Sequence, residues 1–154
     1  FIEEALLNPT ADFRQIAHSQ RYLSWAGFSY ENVCLTHLHQ IKQALGISGV
    51  HTGIYTFYAL PEDGLPGAQI DLIIERADRC AHLCEIKFSK APYAPSKTEI
   101  DQWKTHQTVF RYHTGYKFHL FTTLITTFGV AGNAAAGMAD QVLTLEHLFQ
   151  EVAA

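Results

Sequence analysis

Three ionisable residues stand where the chain is otherwise most apolar. Asp71 lies inside the run Gln69–Glu75, and Glu85 and Lys87 flank Ile86 inside the run Ala81–Phe88. Side chains alternate along a strand, so Glu85 and Lys87 share one face while Ile86 takes the other. A hairpin through the Arg76–Arg79 turn brings Asp71 near Glu85. Two carboxylates and one ammonium then project together from a hydrophobic sheet, which is costly unless they are paired or bind a cation. Neighbouring carboxylates suit Mg²⁺ (or Mn²⁺), which takes hard oxygen ligands, few of them from protein, and keeps water for the rest. Lys87 is then placed to polarise an attacking water and to stabilise charge on a phosphate.

The elements that must position these residues are legible in the periodicity. Tyr30, Val33, Cys34, His37, Leu38, Ile41 and Leu45 recur at spacings of three and four, which predicts one amphipathic helix beginning after Gly27 and stopped by Gly46. Ala11–Arg21 reads as a short helical lead-in. Three strands follow at Ile54–Leu60, Gln69–Glu75 and Ala81–Phe88, the first two separated by the turn-rich Pro61–Gly67. Pro92 and Pro95 break the chain, Ser96 is a good N-cap, and a helix from about Lys97 to Tyr112 ends at Gly115. Tyr116–Leu124 is a fourth strand and Gly129–Gly137 a loop. Val142–Thr144 reads as a short edge strand and Leu145–Val152 as a terminal helix. The predicted class is α/β, a mixed sheet flanked by helices.

Composition narrows the rest. With 154 residues the chain suits a single domain, residues 1–154, and its apolar content of 47% with 17% charged residues excludes disordered, collagenous and coiled-coil classes. Three cysteines are too few for a disulfide framework, which favours a reducing, cytoplasmic setting. No Asp, Glu, Lys or Arg lies between Lys117 and Asp140, yet His119, Asn133, three glycines and four threonines there argue against a membrane span. The first residue is Phe1, and Phe1–Leu7 carries acids where a signal peptide would carry Lys or Arg. That start reads as a cut within a longer protein.

The element order and the triad together resemble the PD-(D/E)XK nuclease superfamily, with its restriction-endonuclease-like αβββαβ core. The signature stands here as Ile70-Asp71-Leu72, thirteen residues after Asp71, and then Glu85-Ile86-Lys87. The core spans about residues 28–124, with 125–154 as a C-terminal appendix. The resemblance implies Asp71 and Glu85 as metal ligands joined by the Ile86 backbone carbonyl, Lys87 as the catalytic lysine, and Glu31 as an auxiliary acid at the start of the first helix. A narrower resemblance rests on Trp25–Cys34, Ile41–Ile47, Thr127-Phe128-Gly129 with Asn133, and Thr144–Phe149. These segments look like the C-terminal region of prokaryotic AAA+-type ATPases of the archaeal-ATPase-like group. That resemblance implies upstream ATPase and winged-helix modules in the same polypeptide. No Gly-rich phosphate loop occurs in these residues, so nucleotide binding is not expected of them.

Two functions compete at this point. One is Mg²⁺- or Mn²⁺-dependent hydrolysis of DNA. The other is a catalytically silent module serving DNA docking, regulation or assembly of the ATPase, and self-association into a homo-oligomer is compatible with either. Charge is unevenly spread: Lys87–Lys117 holds six basic and two acidic residues, whereas the remainder holds five basic and thirteen acidic ones. Lys90, Lys97 and Lys104 are therefore candidate contacts to a phosphate backbone. Cys80, His82 and Cys84 alternate along one strand but lack a matching ligand pair, and they read as packing residues on the face opposite Glu85. His37 and His39 read as surface or packing residues, and Trp25 and Trp103 as core.

Overall fold

The structure, a computed structural model, describes residues 16–132 and 139–152. Ser19 opens helix α1 (Gln20–Thr36), its hydroxyl accepting from the Tyr22 N–H. The helix thus begins before Gly27, which sits inside it, and Glu31 falls well along α1 rather than at its start. The expected single helix is also broken. At His37 the Val33 carbonyl accepts from the Thr36 hydroxyl at 2.9 Å and meets the His37 ring at 2.7 Å, while the His37 N–H turns to Cys34 O. Side chains have displaced one helical hydrogen bond, and a second helix, α2 (Leu38–Ala44), follows directly.

Strands β1 (Thr52–Ala59), β2 (Ala68–Arg76) and β3 (Cys80–Lys87) form an antiparallel meander. Helix α3 (Lys97–Thr114) then crosses to β4 (His119–Thr126), which pairs parallel with β3, and β5 (Gln141–Thr144) adds parallel to β4 before the short α4 (Leu145–Leu148). The result is a mixed sheet in the order β1-β2-β3-β4-β5. Strand boundaries lie within two or three residues of those expected. The terminal helix is shorter than expected, and β5 is the short edge strand expected, with Leu143 of β5 and Leu148 of α4 buried in the main core. The expected loop 129–137 and the lead-in 11–21 fall partly outside the described residues.

Both sheet faces are covered. Leu72, Ile74, Cys84, Ile86 and Ile125 pack under Tyr30, Cys34 and Ile41 of α1 and α2. Ile70, Ile73, Leu83 and Leu120 pack on the other face beneath Phe110 of α3. Burial on two faces explains why β2 and β3 read as nearly continuous apolar runs. Among the described residues no helix is long and apolar enough to cross a membrane.

A register change localises the irregularity in β2. Tyr55 pairs with Ile73 and Phe57 with Ile70, so β1 advances two residues while β2 advances three. The extra residue falls at Asp71–Leu72, a bulge that re-aims the local side chains. It also accounts for Ile70 and Ile73, an odd and an even position, sharing one core.

Helix α3 is fixed at both ends. The Ser96 hydroxyl accepts from the Glu99 N–H, and the Glu99 carboxylate accepts from the Ser96 N–H at 2.9 Å, a reciprocal capping box. Gly115 closes the helix in the left-handed conformation at φ 66°. Replacing Ser96→Ala should cost about 1 kcal/mol, read as a lower urea midpoint at unchanged slope; an unmoved midpoint would show that the cap contributes nothing.

Candidate active site

The β2–β3 ladder runs from Arg76 and Cys80 to Leu72 and Cys84 and then stops, whereas β3 stays paired with β4 as far as Lys87 and Thr126. Beyond Leu72, β2 veers away. Glu85-Ile86-Lys87 is left with a strand on one side and an opening on the other. Asp71 fills the opening, its Oδ2 accepting the Ile86 N–H at 3.1 Å. A strand residue's N–H and C=O point to the same edge, so the Ile86 carbonyl faces this gap too.

Glu85 is buried at 6% exposure. Its Oε1 lies 2.7 Å from Nδ1 of His106, whose N–H donates to it, and its Oε2 lies 3.9 Å from Nζ of Lys87. The triad expected from the sequence is therefore assembled at one place. Helix α3 supplies what the sequence reading missed: Glu99, Gln102, Trp103 and His106 close an open cleft of about 280 Å³ over Asp71, Glu85 and Lys87. The spacing of these four residues along one face of the predicted helix was the available signal. Trp103 is buried as expected, but Trp25 on α1 is 39% exposed.

The cleft is electrostatically lopsided. Three carboxylates face one lysine and one imidazole. Burial pushes the Asp71 carboxyl above its ordinary value and the Glu85 charge adds to this, against the opposing pull of the Ile86 N–H, Lys87 and His106. Burial also raises Glu31, with a further contribution from Asp71. Burial would raise Glu99 as well, but hydrogen bonds from Tyr93 and Ser96 outweigh it and hold that carboxylate low.

Among the described residues no three His, Cys, Asp or Glu side chains converge as a metal cage. The donor set nevertheless fits a hard divalent cation. Asp71 and Glu85 each have one oxygen engaged by a protein N–H, which leaves Asp71 Oδ1 and, beside the Lys87 ammonium, Glu85 Oε2, and Mg²⁺ commonly uses one or two carboxylates with water. Glu31 does not line this cleft. It lines a neighbouring one together with Asp71.

The remaining candidates are dispersed. Lys97 and Lys104 sit roughly 150° around α3 from the cleft-lining residues by helical geometry, and Lys104 lies 4.0 Å from Asp101. Lys90 is exposed, bonded to the Ala17 carbonyl and stacked over Tyr22. The basic segment of the sequence is thus not a basic lining of the site. Cys84 is buried and Cys80 partly so, while His82 bridges Thr123 and Arg76 on the far side of β3, as packing residues do.

No family model matches the sequence, and no curated protein does. The crystal structure of a protein of unknown function, AF1548, is similar over 77% of this chain at 18% identity with a TM-score of 0.49, and the match takes in 64% of that chain. A likeness so distant leaves the chemistry of the site to its own geometry.

A carboxyl whose folded pKa lies above its unfolded value of about 3.9 binds more protons folded than unfolded, so stability falls as pH rises through that interval. Asp71→Asn removes this penalty and keeps an oxygen for the Ile86 N–H. In EDTA, the melting temperature of Asp71→Asn relative to wild type should climb between pH 4 and pH 7. A constant difference would place the Asp71 carboxyl at its ordinary value.

Proposed function

We propose that this chain is a metal-dependent phosphodiesterase domain acting on DNA, built on a restriction-endonuclease-like αβββαβ core. The observation that carries this reading is the meeting of Asp71 and Glu85, with Lys87 beside them, at the point where β2 leaves β3. Mg²⁺ or Mn²⁺ would be held by Asp71, Glu85 and the Ile86 carbonyl. When bound, it supplies Lewis-acid polarisation of a phosphate oxygen and a more acidic water. Lys87 offsets charge developing on the phosphoryl oxygens as water oxygen attacks phosphorus and a P–O ester bond breaks. His106 orients Glu85 through its 2.7 Å hydrogen bond. Glu31, coupled to Asp71 from the adjoining cleft, serves as the auxiliary acid. Lys90, Lys97 and Lys104 would meet the DNA backbone outside the cleft, with the domain working in the cytoplasm as part of a longer AAA+-type ATPase.

One observation favours a second reading. Glu85 is already satisfied by His106 and Lys87, as in a nuclease fold retained as a silent docking or assembly module.

Plasmid nicking separates the two. The protein should nick supercoiled DNA with Mn²⁺ or Mg²⁺ and not with EDTA. Lys87→Ala should lose most of the rate, about 100-fold or more, while keeping the cation-induced rise in melting temperature, and Glu85→Gln should lose both. Supercoiled plasmid and single-stranded DNA both left intact under both metals would favour the silent module.

A further inference from the structure

Asp71 and Gln69 line two clefts at once. One is the polar cleft under α3. The other, of about 380 Å³, opens between α1 and β1, where Leu35 and Tyr58 lie beside Glu31, while the Phe57 ring turns away to Phe110 of α3. Its size lies at the small end of ligand sites, which run from about 300 to 1,000 Å³. Its lining is mainly apolar and, among the described residues, includes no lysine or arginine. Two carboxylates, Glu31 and Asp71, would repel a phosphate there. A flat, uncharged group fits instead, attached to a phosphate that stays on the Lys87 side of Asp71.

We propose that the α1–β1 cleft is a nucleobase subsite and that the substrate strand is single-stranded DNA where it is cut. The inference rests on the nuclease reading and specifies its substrate. The Tyr58 ring, on the open edge strand β1 and 69% exposed, supplies the stacking face. The Gln69 amide, opposite Tyr58 in the β1–β2 register, supplies a donor and an acceptor for the base edge. A base held in duplex stacking cannot enter such a cleft, so the nucleotide must be unpaired or turned out of the helix. The β2 bulge sets this arrangement, because it places Asp71 between the phosphate on one side and the base on the other.

The test is binding, measured apart from cutting. A short single-stranded oligonucleotide carrying 2-aminopurine is titrated with the full chain in EDTA, beside a duplex of the same sequence. Wild type should bind the single strand more tightly and change the probe's fluorescence. Tyr58→Ala should weaken single-strand binding about tenfold, erase the fluorescence change and leave duplex binding unaltered, while Tyr58→Phe stays close to wild type. Because Tyr58 is exposed, its truncation should leave folding intact, checked by an unchanged melting temperature. Equal affinity of wild type for single strand and duplex, or the same single-strand affinity in Tyr58→Ala, overturns the subsite. Single-strand binding through Tyr58 without metal-dependent cutting keeps the subsite and removes the nuclease reading. Plasmid nicking at a rate indifferent to Tyr58 does the reverse.

Discussion

The architecture of the site depends on two strands parting company. A sheet that stayed paired along β2 and β3 would consume every backbone group of Glu85-Ile86-Lys87 and leave no room between the strands. Ending the ladder at Leu72 and Cys84 exposes one edge of β3 inside the molecule, where an unpaired N–H is expensive. The Asp71 carboxylate relieves that cost by accepting the Ile86 N–H. The same residue therefore repairs the sheet and opens the cleft. Its side chain could not do both from a regular strand, and the bulge at Asp71–Leu72 supplies the extra residue.

Burial of these acids runs against folding. Asp71 and Glu85 adjoin a core in which Leu72, Ile73, Ile74 and Cys84 are fully inaccessible, and burial, with the Glu85 charge adding to it, raises Asp71. Lys87 and His106 offset part of this, yet Glu99 brings a further negative charge to the same cleft. A fold selected for stability alone would place apolar residues here.

Most of the fold could be read from the residues. The spacing of apolar positions located the strands, and Ser96 and Gly115 located both ends of α3 because capping chemistry is local. Alternation along β3 placed Glu85 and Lys87 on one face for the same reason. The departures were tertiary or involved competition between side chain and backbone. Thr36 and His37 took over the Val33 carbonyl and split a helix that periodicity alone joined. The bulge in β2 left no trace in a run that is apolar on both faces. His106 is one of nine histidines, and only the packing of α3 over the sheet selected it. Charge counting along the chain was blind to the helical rotation that turns Lys97 and Lys104 away from the cleft.

Glu99 carries a consequence of its own. Its carboxylate closes the first turn of α3 through Ser96 and at the same time faces the cleft beside Lys87. Those two duties draw on the same few lone pairs. Any positive charge that enters the cleft competes with the Ser96 N–H and the Tyr93 hydroxyl for them, so occupancy and the integrity of the helix start are thermodynamically linked. Amide protons in the first turn of α3 become reporters of what the cleft holds, and their exchange with solvent responds to a ligand that never touches them.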